Sequence, residues 1–268
     1  MSAIRSPVVA GSFYPGSAAE LAGAVDYQLG VAARAVARPS IDADRIRGLI
    51  VPHAGYQYSG PIAASAYALL ARLHHAPSVV VIIGPSHFEP LEGLAVARHD
   101  AWHTPLGDAQ LDDDVRDSLL QAGAGHRDAA HRSEHSLEVQ LPFLQRSLPD
   151  VPVLPVAVGF GSPSAGAETV VAALPDDALL LVSTDLSHYH DAATARRQDA
   201  RTASAVEALE VDALQPDDAC GFDALRLAMA WAGARGYRIV RLDLRNSADT
   251  AGDAWRVVGY GAFAIVGA

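Results

Sequence analysis

The sequence predicts an α/β fold, namely a single three-layer domain with a central mixed, largely parallel sheet flanked by helices. Short runs of β-branched and aliphatic residues, which are typical of buried strands, alternate with Ala-rich stretches whose apolar residues recur at helical spacing. Several short strands in the middle of the chain are separated by turns, which indicates that part of the sheet is antiparallel. No linker, repeat or low-complexity segment interrupts the 268 residues, so we expect one domain over residues 1–268.

The first half of the chain carries three predicted helices and four predicted strands. Residues 18–37 are predicted to form a helix because Leu21, Val25 and Leu29 recur every four residues. A second helix is expected at residues 61–75, where Pro61 suits the first turn, and a third at residues 111–122. The strands are predicted at residues 46–52, 78–83, 93–98 and 101–106.

The second half of the chain repeats the alternation. Apolar residues at helical spacing predict helices at residues 134–148, 164–174, 192–213 and 222–236. Runs rich in Val, Ile and Leu predict strands at residues 151–158, 178–183, 238–244 and 257–266.

Composition excludes several classes of function. A net charge of −11 argues against a nucleic-acid partner or an anionic membrane surface, because binding phosphates requires clustered basic residues. No apolar stretch approaches the ~20 residues that cross a bilayer, and Cys220 is the single cysteine, so we expect a cytoplasmic protein. Lysine is absent, which rules out Schiff-base chemistry.

Two histidines stand where a hydrophobic run ends. One run leads into His53, and the other leads through a Gly-Pro-Ser turn into His87. Because sites in open α/β sheets are assembled at the carboxyl ends of strands, the pair predicts a metal or proton-transfer centre. The alternative is that each imidazole only forms a hydrogen bond within its own loop.

A third predicted strand end carries Asp185 and His188. His188 is a candidate general acid or base, since an imidazole titrates near pH ~6.5. In the alternative interpretation, Asp185 caps the following helix and His188 lies in a solvated turn.

The segment after residue 133 adds Glu134 and His135 as candidate site residues. An acidic first turn complements the helix dipole, which explains at least one glutamate here without a function. The spacing is not that of an HExxH zinc-protease helix, because the second histidine is missing. We expect Cys220 to be a buried structural thiol, and His131 to lie at the surface.

Six motifs together resemble those of the Memo family, whose bacterial and archaeal members are often called AmmeMemoRadiSam system protein B. They occur in family order and span nearly the whole chain. The motifs are AGSFYP at 10–15, VPHAGYQYSG at 51–60, GPSH at 84–87, EHSLEVQLPF at 134–143, STDLSHY at 183–189 and VVGY at 257–260.

The resemblance implies the fold of class III extradiol ring-cleaving dioxygenases. It matches His53 and His87 to two metal ligands and His188 to the histidine that acts in acid/base catalysis. Animal Memo proteins present a cysteine as third ligand, and Asp249 best matches that place here, with Asp253 as the alternative. Two histidines and one carboxylate favour Fe(II), and copper and zinc are the alternative metals.

The leading functional hypothesis is therefore a non-haem-iron-dependent redox enzyme of the dioxygenase type acting on an unidentified small molecule. Glu134, His135 and Asp185 would then shape the polar wall of the site. The alternatives are a non-catalytic metal- or peptide-binding adaptor and metal-assisted hydrolysis. Family association also implies a radical-SAM protein and an AMMECR-like protein as partners.

Overall fold

The structure is a computed structural model that describes residues 3–34, 41–161 and 163–267. Within these ranges the chain forms α-helices of between five and seventeen residues. They are α1 Ala18–Arg34, α2 Tyr56–Leu70, α3 Asp113–Gln121, α4 Asp128–Arg132, α5 Leu141–Ser147, α6 Pro163–Ala173, α7 Ala192–Ala208 and α8 Phe222–Ala234.

The strands vary from short edge pieces to the ten residues of the last one. They are β1 Ile4–Arg5, β2 Ile46–Val51, β3 Val80–Pro85, β4 Leu94–Val96, β5 Ala101–Thr104, β6 Gly107–Gln110, β7 Gly125–His126, β8 Val153–Val158, β9 Leu179–Ser183, β10 His188–His190, β11 Arg238–Asn246 and β12 Val257–Val266.

The main sheet is mixed, with parallel strands at its centre. Its strands run in the order β10-β12-β2-β9-β3-β8-β4-β7, and β11 pairs with β12. Strands β2, β9, β3 and β8 are parallel neighbours, whereas β12 runs antiparallel to β2 and β4 runs antiparallel to β8. A separate small sheet joins β1, β5 and β6. The predicted α/β class with a mixed sheet is therefore confirmed.

Helices cover both faces of the main sheet and produce the predicted three layers. Successive side chains of a strand point to opposite faces, so neighbouring residues of β2 enter different cores. Leu49 and Val51 pack in one core with α1, α2 and α5, whereas Ile50 packs in the other with α3, α6, α7 and α8. The central strands are buried on both sides, as their uninterrupted apolar runs predicted.

The predicted helix over residues 134–148 is wrong over residues 134–137. Instead, the carbonyl of Glu134 accepts a hydrogen bond from the Arg5 guanidinium, and the carbonyl of Ser136 accepts one from the Ser183 hydroxyl, both at 2.7 Å. A 3₁₀ turn at Glu138–Gln140 follows, and α5 begins just before Pro142, whose missing N–H suits a first turn.

Smaller differences concern ends and short strands. Helix α2 begins at Tyr56, before the predicted start, and its first backbone N–H donates to the carbonyl of Phe13 at 2.8 Å. The last residues of the predicted helix 18–37 lie outside the described ranges. Strands β1, β6, β7 and β10 were not predicted, because they are too short to show a clear period in the sequence.

A buried ion pair attaches the N-terminal segment to the loop before α5. Arg5 is 4% exposed, and its Nη1 donates to Glu138 Oε2 at 2.7 Å. The guanidinium lies over the Trp102 ring, 4.1 Å from its centroid. Glu138 Oε1 also accepts a hydrogen bond from the Tyr14 hydroxyl at 2.8 Å. This glutamate of the sequence motif therefore has a structural role.

His131 is buried, and its predicted place at the surface is wrong. Its Nε2 lies 3.1 Å from the carbonyl oxygen of Ala95, and its ring packs edge-on against Trp102. Burial lowers the pKa of His131 to about 4, so the ring is neutral near pH 7.

Among the described residues, no helix combines the length and the apolar character required to cross a membrane.

Candidate metal centre

The candidate site lies at the carboxyl ends of three adjacent parallel strands. His53, Asp185 and His87 each stand two residues beyond the last residue of β2, β9 and β3, respectively. These strands are direct neighbours in the order β2-β9-β3. The sheet therefore brings together side chains that are far apart in the sequence.

Three imidazoles meet at this edge. The ring centroids of His53 and His87 are 5.3 Å apart, and those of His53 and His135 are 5.5 Å apart. The rings of His87 and His135 are stacked with centroids 4.9 Å apart. One nitrogen from each ring lies within 4.8 Å of the others, so the group could hold a divalent metal ion.

His53 is the buried member of the group. It is 2% exposed, and its backbone N–H donates to Asp185 Oδ1 at 2.8 Å. On the ring, Nδ1 lies 2.9 Å from the Ser183 hydroxyl oxygen, and Nε2 lies 3.2 Å from Cys220 Sγ. Burial lowers the pKa of His53, so the ring is neutral and able to bind a cation.

The Glu134 carboxylate orients His87 through two hydrogen bonds. The carboxylate is fully buried and accepts the His87 backbone N–H at 2.7 Å and the Nδ1–H of the ring at 2.9 Å. It also accepts the backbone N–H of Ser136 at 2.8 Å. Burial alone would raise the pKa of Glu134, but the hydrogen bonds from His87 outweigh it and lower the pKa to about 2. A carboxylate behind a histidine is the usual arrangement that orients a metal ligand.

His135 comes from the loop between α4 and the 3₁₀ turn at Glu138–Gln140. Its side chain is 17% exposed, and its Nδ1 lies 3.6 Å from Glu134 Oε1, beyond hydrogen-bond distance. The ring packs edge-on against Phe13 with centroids 4.9 Å apart. Packing against the N-terminal segment and against His87 therefore positions this ring.

The structure places Asp249 outside this group. Its Oδ1 accepts a hydrogen bond from Arg196 at 2.7 Å, and its Oδ2 accepts the backbone N–H of Asn246 at 2.9 Å. These bonds outweigh partial burial and lower the pKa of Asp249. Asp253 lines the cavity near the site, but its Oδ1 accepts the backbone N–H of Trp255 at 2.9 Å. The third member of the group that could hold an ion is His135, and Asp249, which the resemblance assigned as the third ligand, is not part of that group.

Asp185 and His188 lie in the same cavity as the three imidazoles. Burial raises the pKa of Asp185 to about 7, which makes its carboxyl group able to exchange a proton near neutral pH. The Nδ1 of His188 lies 2.7 Å from the carbonyl of Leu186, which can only accept, so Nδ1 carries the hydrogen and Nε2 keeps a lone pair. Burial also lowers the pKa of His188, so its ring is neutral at pH 7.

Sequence reasoning missed the closeness of Cys220 to the site. Its sulfur contacts His53 Nε2 and accepts the backbone N–H of Asp185 at 3.3 Å. Burial raises the pKa of this thiol, so it is protonated. The only signal in the sequence was an Ala-Cys-Gly turn before α8, which does not indicate a distance to His53.

The cavity in front of the imidazoles has a volume of about 1030 Å³. Its wall includes the aromatic rings of Phe13, Tyr58 and Tyr260, together with Asp217 and Arg256 at its polar part. Such a space accommodates a small organic molecule beside the imidazoles.

Comparison with known proteins agrees with the motifs. A family model described as Memo-like protein matches residues 5–264. The chain belongs to the Memo family. A relative named MEMO1 family protein from Aquifex aeolicus is 34% identical over 270 residues, which covers 96% of this chain and 97% of the relative. Relatives of the same name from Thermotoga neapolitana and Methanobrevibacter smithii are 34% and 33% identical, each over 96% of this chain and 98% of the relative.

The donor set of this Memo-family protein suits a transition metal. Imidazole nitrogens bind zinc, copper and iron, and three protein ligands leave coordination positions open for a substrate or water. The group described here contains three imidazoles and no carboxylate, so it differs from the two-histidine, one-carboxylate set expected from the sequence. The residues present therefore fit a divalent ion. Glu134 contributes a negative charge next to the site through its hydrogen bond to the His87 ring.

Proposed function

We propose that this Memo-family protein is a metal-dependent redox enzyme of the dioxygenase type that acts on a small molecule, with ferrous iron as its metal. The proposal depends on one observation, namely that three imidazoles converge at the end of the sheet in a cavity that also contains Asp185 and His188. The resemblance of the family to extradiol dioxygenases favours iron over zinc and copper. The substrate class that suits this chemistry is a catechol-like diol.

Each polar residue has a defined task in this proposal. His53, His87 and His135 hold the ion, and Glu134 orients His87 through its Nδ1–H. A bound ferrous ion would supply Lewis acidity and electrons for the reaction with oxygen. His188 accepts a proton from a substrate hydroxyl at Nε2, because its Nδ1–H is bonded to a carbonyl oxygen.

Metal analysis and oxygen uptake test the proposal directly. Protein purified without added metal is analysed for bound ions, reconstituted with Fe(II) under anaerobic conditions, and then assayed in an oxygen electrode with a panel of catechols. We expect about one ion per chain and catechol-dependent oxygen uptake. His53→Ala and His87→Ala should lose most of the metal, whereas the exposed and distant His75→Ala serves as the matched control.

The results separate this function from the other chemistries. Absence of iron binding by the wild-type protein would refute the proposal. Bound zinc with oxygen-independent product formation would instead indicate metal-assisted hydrolysis.

A non-catalytic adaptor is the second candidate, and exposed aromatic residues beside the cavity favour it. Phe88 follows the ligand His87 and is 58% exposed, and Tyr189 lines the cavity and is 63% exposed. Trp255 stands between the cavity-lining residues Asp253 and Arg256 and is 86% exposed. Exposed aromatic residues are typical of protein-binding surfaces.

The adaptor hypothesis predicts bound metal without oxygen uptake. In that case the partners to test are the radical-SAM protein and the AMMECR-like protein, by co-purification with the wild-type protein. A Trp255→Ala variant should lose the partner but keep the metal. Oxygen uptake that depends on a catechol would argue against a purely non-catalytic role.

A further inference from the structure

We propose that Ser183, supported by Gln140, is a positioning residue that fixes His53 in one tautomer. In that tautomer the hydrogen is on Nδ1, and the lone pair of Nε2 is available to bind the ion. The value of this arrangement for metal binding depends on the proposed function, but the tautomer itself is a property of the metal-free protein.

The orientation of the Gln140 amide follows from a carbonyl group. Gln140 is buried, and its Nε2 lies 3.0 Å from the carbonyl oxygen of Pro52. A carbonyl oxygen only accepts hydrogen bonds, so the atom that faces it must be the NH₂ group. On the other side, Oε1 accepts the hydroxyl hydrogen of Tyr67 at 2.8 Å. The second hydrogen of the NH₂ group then points to the Ser183 oxygen at 2.8 Å.

The direction of the Ser183 hydroxyl follows from a second carbonyl group. Ser183 Oγ lies 2.7 Å from the carbonyl oxygen of Ser136, which again can only accept. The single hydroxyl hydrogen of Ser183 is therefore used there. One lone pair of the oxygen receives the Gln140 hydrogen, and the remaining lone pair faces His53 Nδ1 at 2.9 Å.

His53 must then donate from Nδ1, because Ser183 has no hydrogen left to give. The ring nitrogen on the other side, Nε2, keeps its lone pair and lies 3.2 Å from the protonated thiol of Cys220. His87 reaches the same tautomer by a different route, through the carboxylate of Glu134. The proposed ligand His87 is thus oriented by a charged carboxylate. His53 is oriented by neutral groups, namely Ser183 and Gln140, whose own orientations are set by backbone carbonyl groups.

The series of hydrogen bonds from Gln140 through Ser183 to His53 has a specific consequence for metal binding. A histidine whose Nε2 carried the hydrogen could not coordinate through that atom, so the wrong tautomer of His53 must first rearrange. The residues that orient a ligand typically change metal affinity by about 10- to 100-fold when they are removed. Ser183→Ala removes the acceptor for Nδ1–H while leaving all three imidazoles in the chain.

The experiment is ¹⁵N-histidine NMR of the metal-free protein together with a competition titration for Zn(II), used here as a spectroscopically silent probe ion. In the wild type we expect His53 to show a protonated Nδ1 and an unprotonated Nε2. Ser183→Ala should populate both tautomers and weaken Zn(II) binding about 10-fold or more. Ser183→Cys, which conserves volume but accepts hydrogen bonds weakly, should lie between them.

Tyr67→Phe is the matched control within the same network. It removes a buried hydroxyl that bonds Gln140, but Pro52 still fixes the NH₂ group, so the tautomer and the affinity should stay as in the wild type. A wild-type His53 with its hydrogen on Nε2 would overturn the inference, as would Ser183→Ala with an unchanged tautomer. If the wild type shows the expected tautomer but binds no Zn(II) or Fe(II), the proposed function fails while the assignment of the tautomer stands. The wild-type spectrum alone decides the tautomer if Ser183→Ala does not fold.

Discussion

Replacing Glu134 with glutamine should weaken metal binding while the protein remains folded. The carboxylate is fully buried and accepts three hydrogen bonds, two from His87 and one from the backbone of Ser136. An amide offers a single oxygen, and its NH₂ group would face a hydrogen donor or force His87 to move its hydrogen to Nε2. Either outcome removes the orientation that His87 needs for its proposed role as a metal ligand.

The expected magnitude follows from the number of bonds that are lost. Loss of an orienting carboxylate behind a ligand costs about 10- to 100-fold in metal affinity, which corresponds to about 1.4 to 2.7 kcal/mol. A buried N–H of His87 or Ser136 left without an acceptor costs about 1 to 3 kcal/mol of the free energy of unfolding. We therefore expect Glu134→Gln to be less stable than the wild type, and to bind Zn(II) or Fe(II) at least 10-fold more weakly.

A competition titration with a chelating indicator measures the affinity, and urea denaturation measures the stability. The matched control is Asp199→Asn, which makes the same chemical change at a buried carboxylate that accepts the backbone N–H of Ser187 and contacts none of the three imidazoles. Burial raises the pKa of Asp199, so a neutral amide suits its place. The reasoning is refuted if folded Glu134→Gln binds the metal as tightly as the wild type and Asp199→Asn.

Three further predictions concern the proposed third metal ligand, the buried His131 and the packing of the sheet at Gly48. Asp249→Ala should keep the full metal content and His135→Ala should lose most of it, and metal analysis of the two variants would contradict our assignment if the reverse were found. His131 should contribute a fall of about 3 kcal/mol to the free energy of unfolding as the pH drops from 6.5 to about 4, because unfolded His131 takes up a proton near 6.5 and the folded form only near 4; the difference between the urea-denaturation profiles of the wild type and His131→Gln over this pH range measures that contribution. Gly48→Ala would place a methyl group 2.6 Å from the carbonyl oxygen of Leu180 on the neighbouring strand, so it should cost about 1 to 3 kcal/mol of the free energy of unfolding, and an unchanged urea midpoint would contradict this.

The sheet and the place of the site could be predicted because they depend on local patterns. Apolar runs such as residues 179–182 are too hydrophobic for an edge and too short for a helix, so they predict central strands. The residues that follow such strands must lie at one edge, and this argument alone places His53, His87 and Asp185 near one another.

The third imidazole of the group could not be predicted from the sequence because its position depends on contacts between distant segments. His135 faces the other two imidazoles only because the loop at residues 134–137 gives its carbonyl groups to Arg5 and Ser183 and does not form a helix. The acidic residues around 249–253 suggested a ligand by their position in a motif. The hydrogen bond from Arg196 to Asp249 could not be predicted from local spacing either.

The roles of Gln140 and Ser183, which orient the proposed ligand His53, could not be predicted from the sequence either. Gln140 occupies a position in an apolar stretch where a solvent-facing side chain would also be acceptable, and Ser183 reads as the last residue of a strand. Their roles emerge from distances to backbone carbonyl groups, which are set by the tertiary fold.

The insertion of β9 between β2 and β3 determines when the proposed metal site can form during synthesis of the chain. His53 and His87 are made early, but the strand that lies between them, and that supplies Ser183, is encoded more than ninety residues later. Pairings between such distant segments form slowly, since the intervening chain must first be brought together. If the proposed function holds, ion binding therefore requires β9 to be in place, and a chain that ends before residue 179 should not bind the ion.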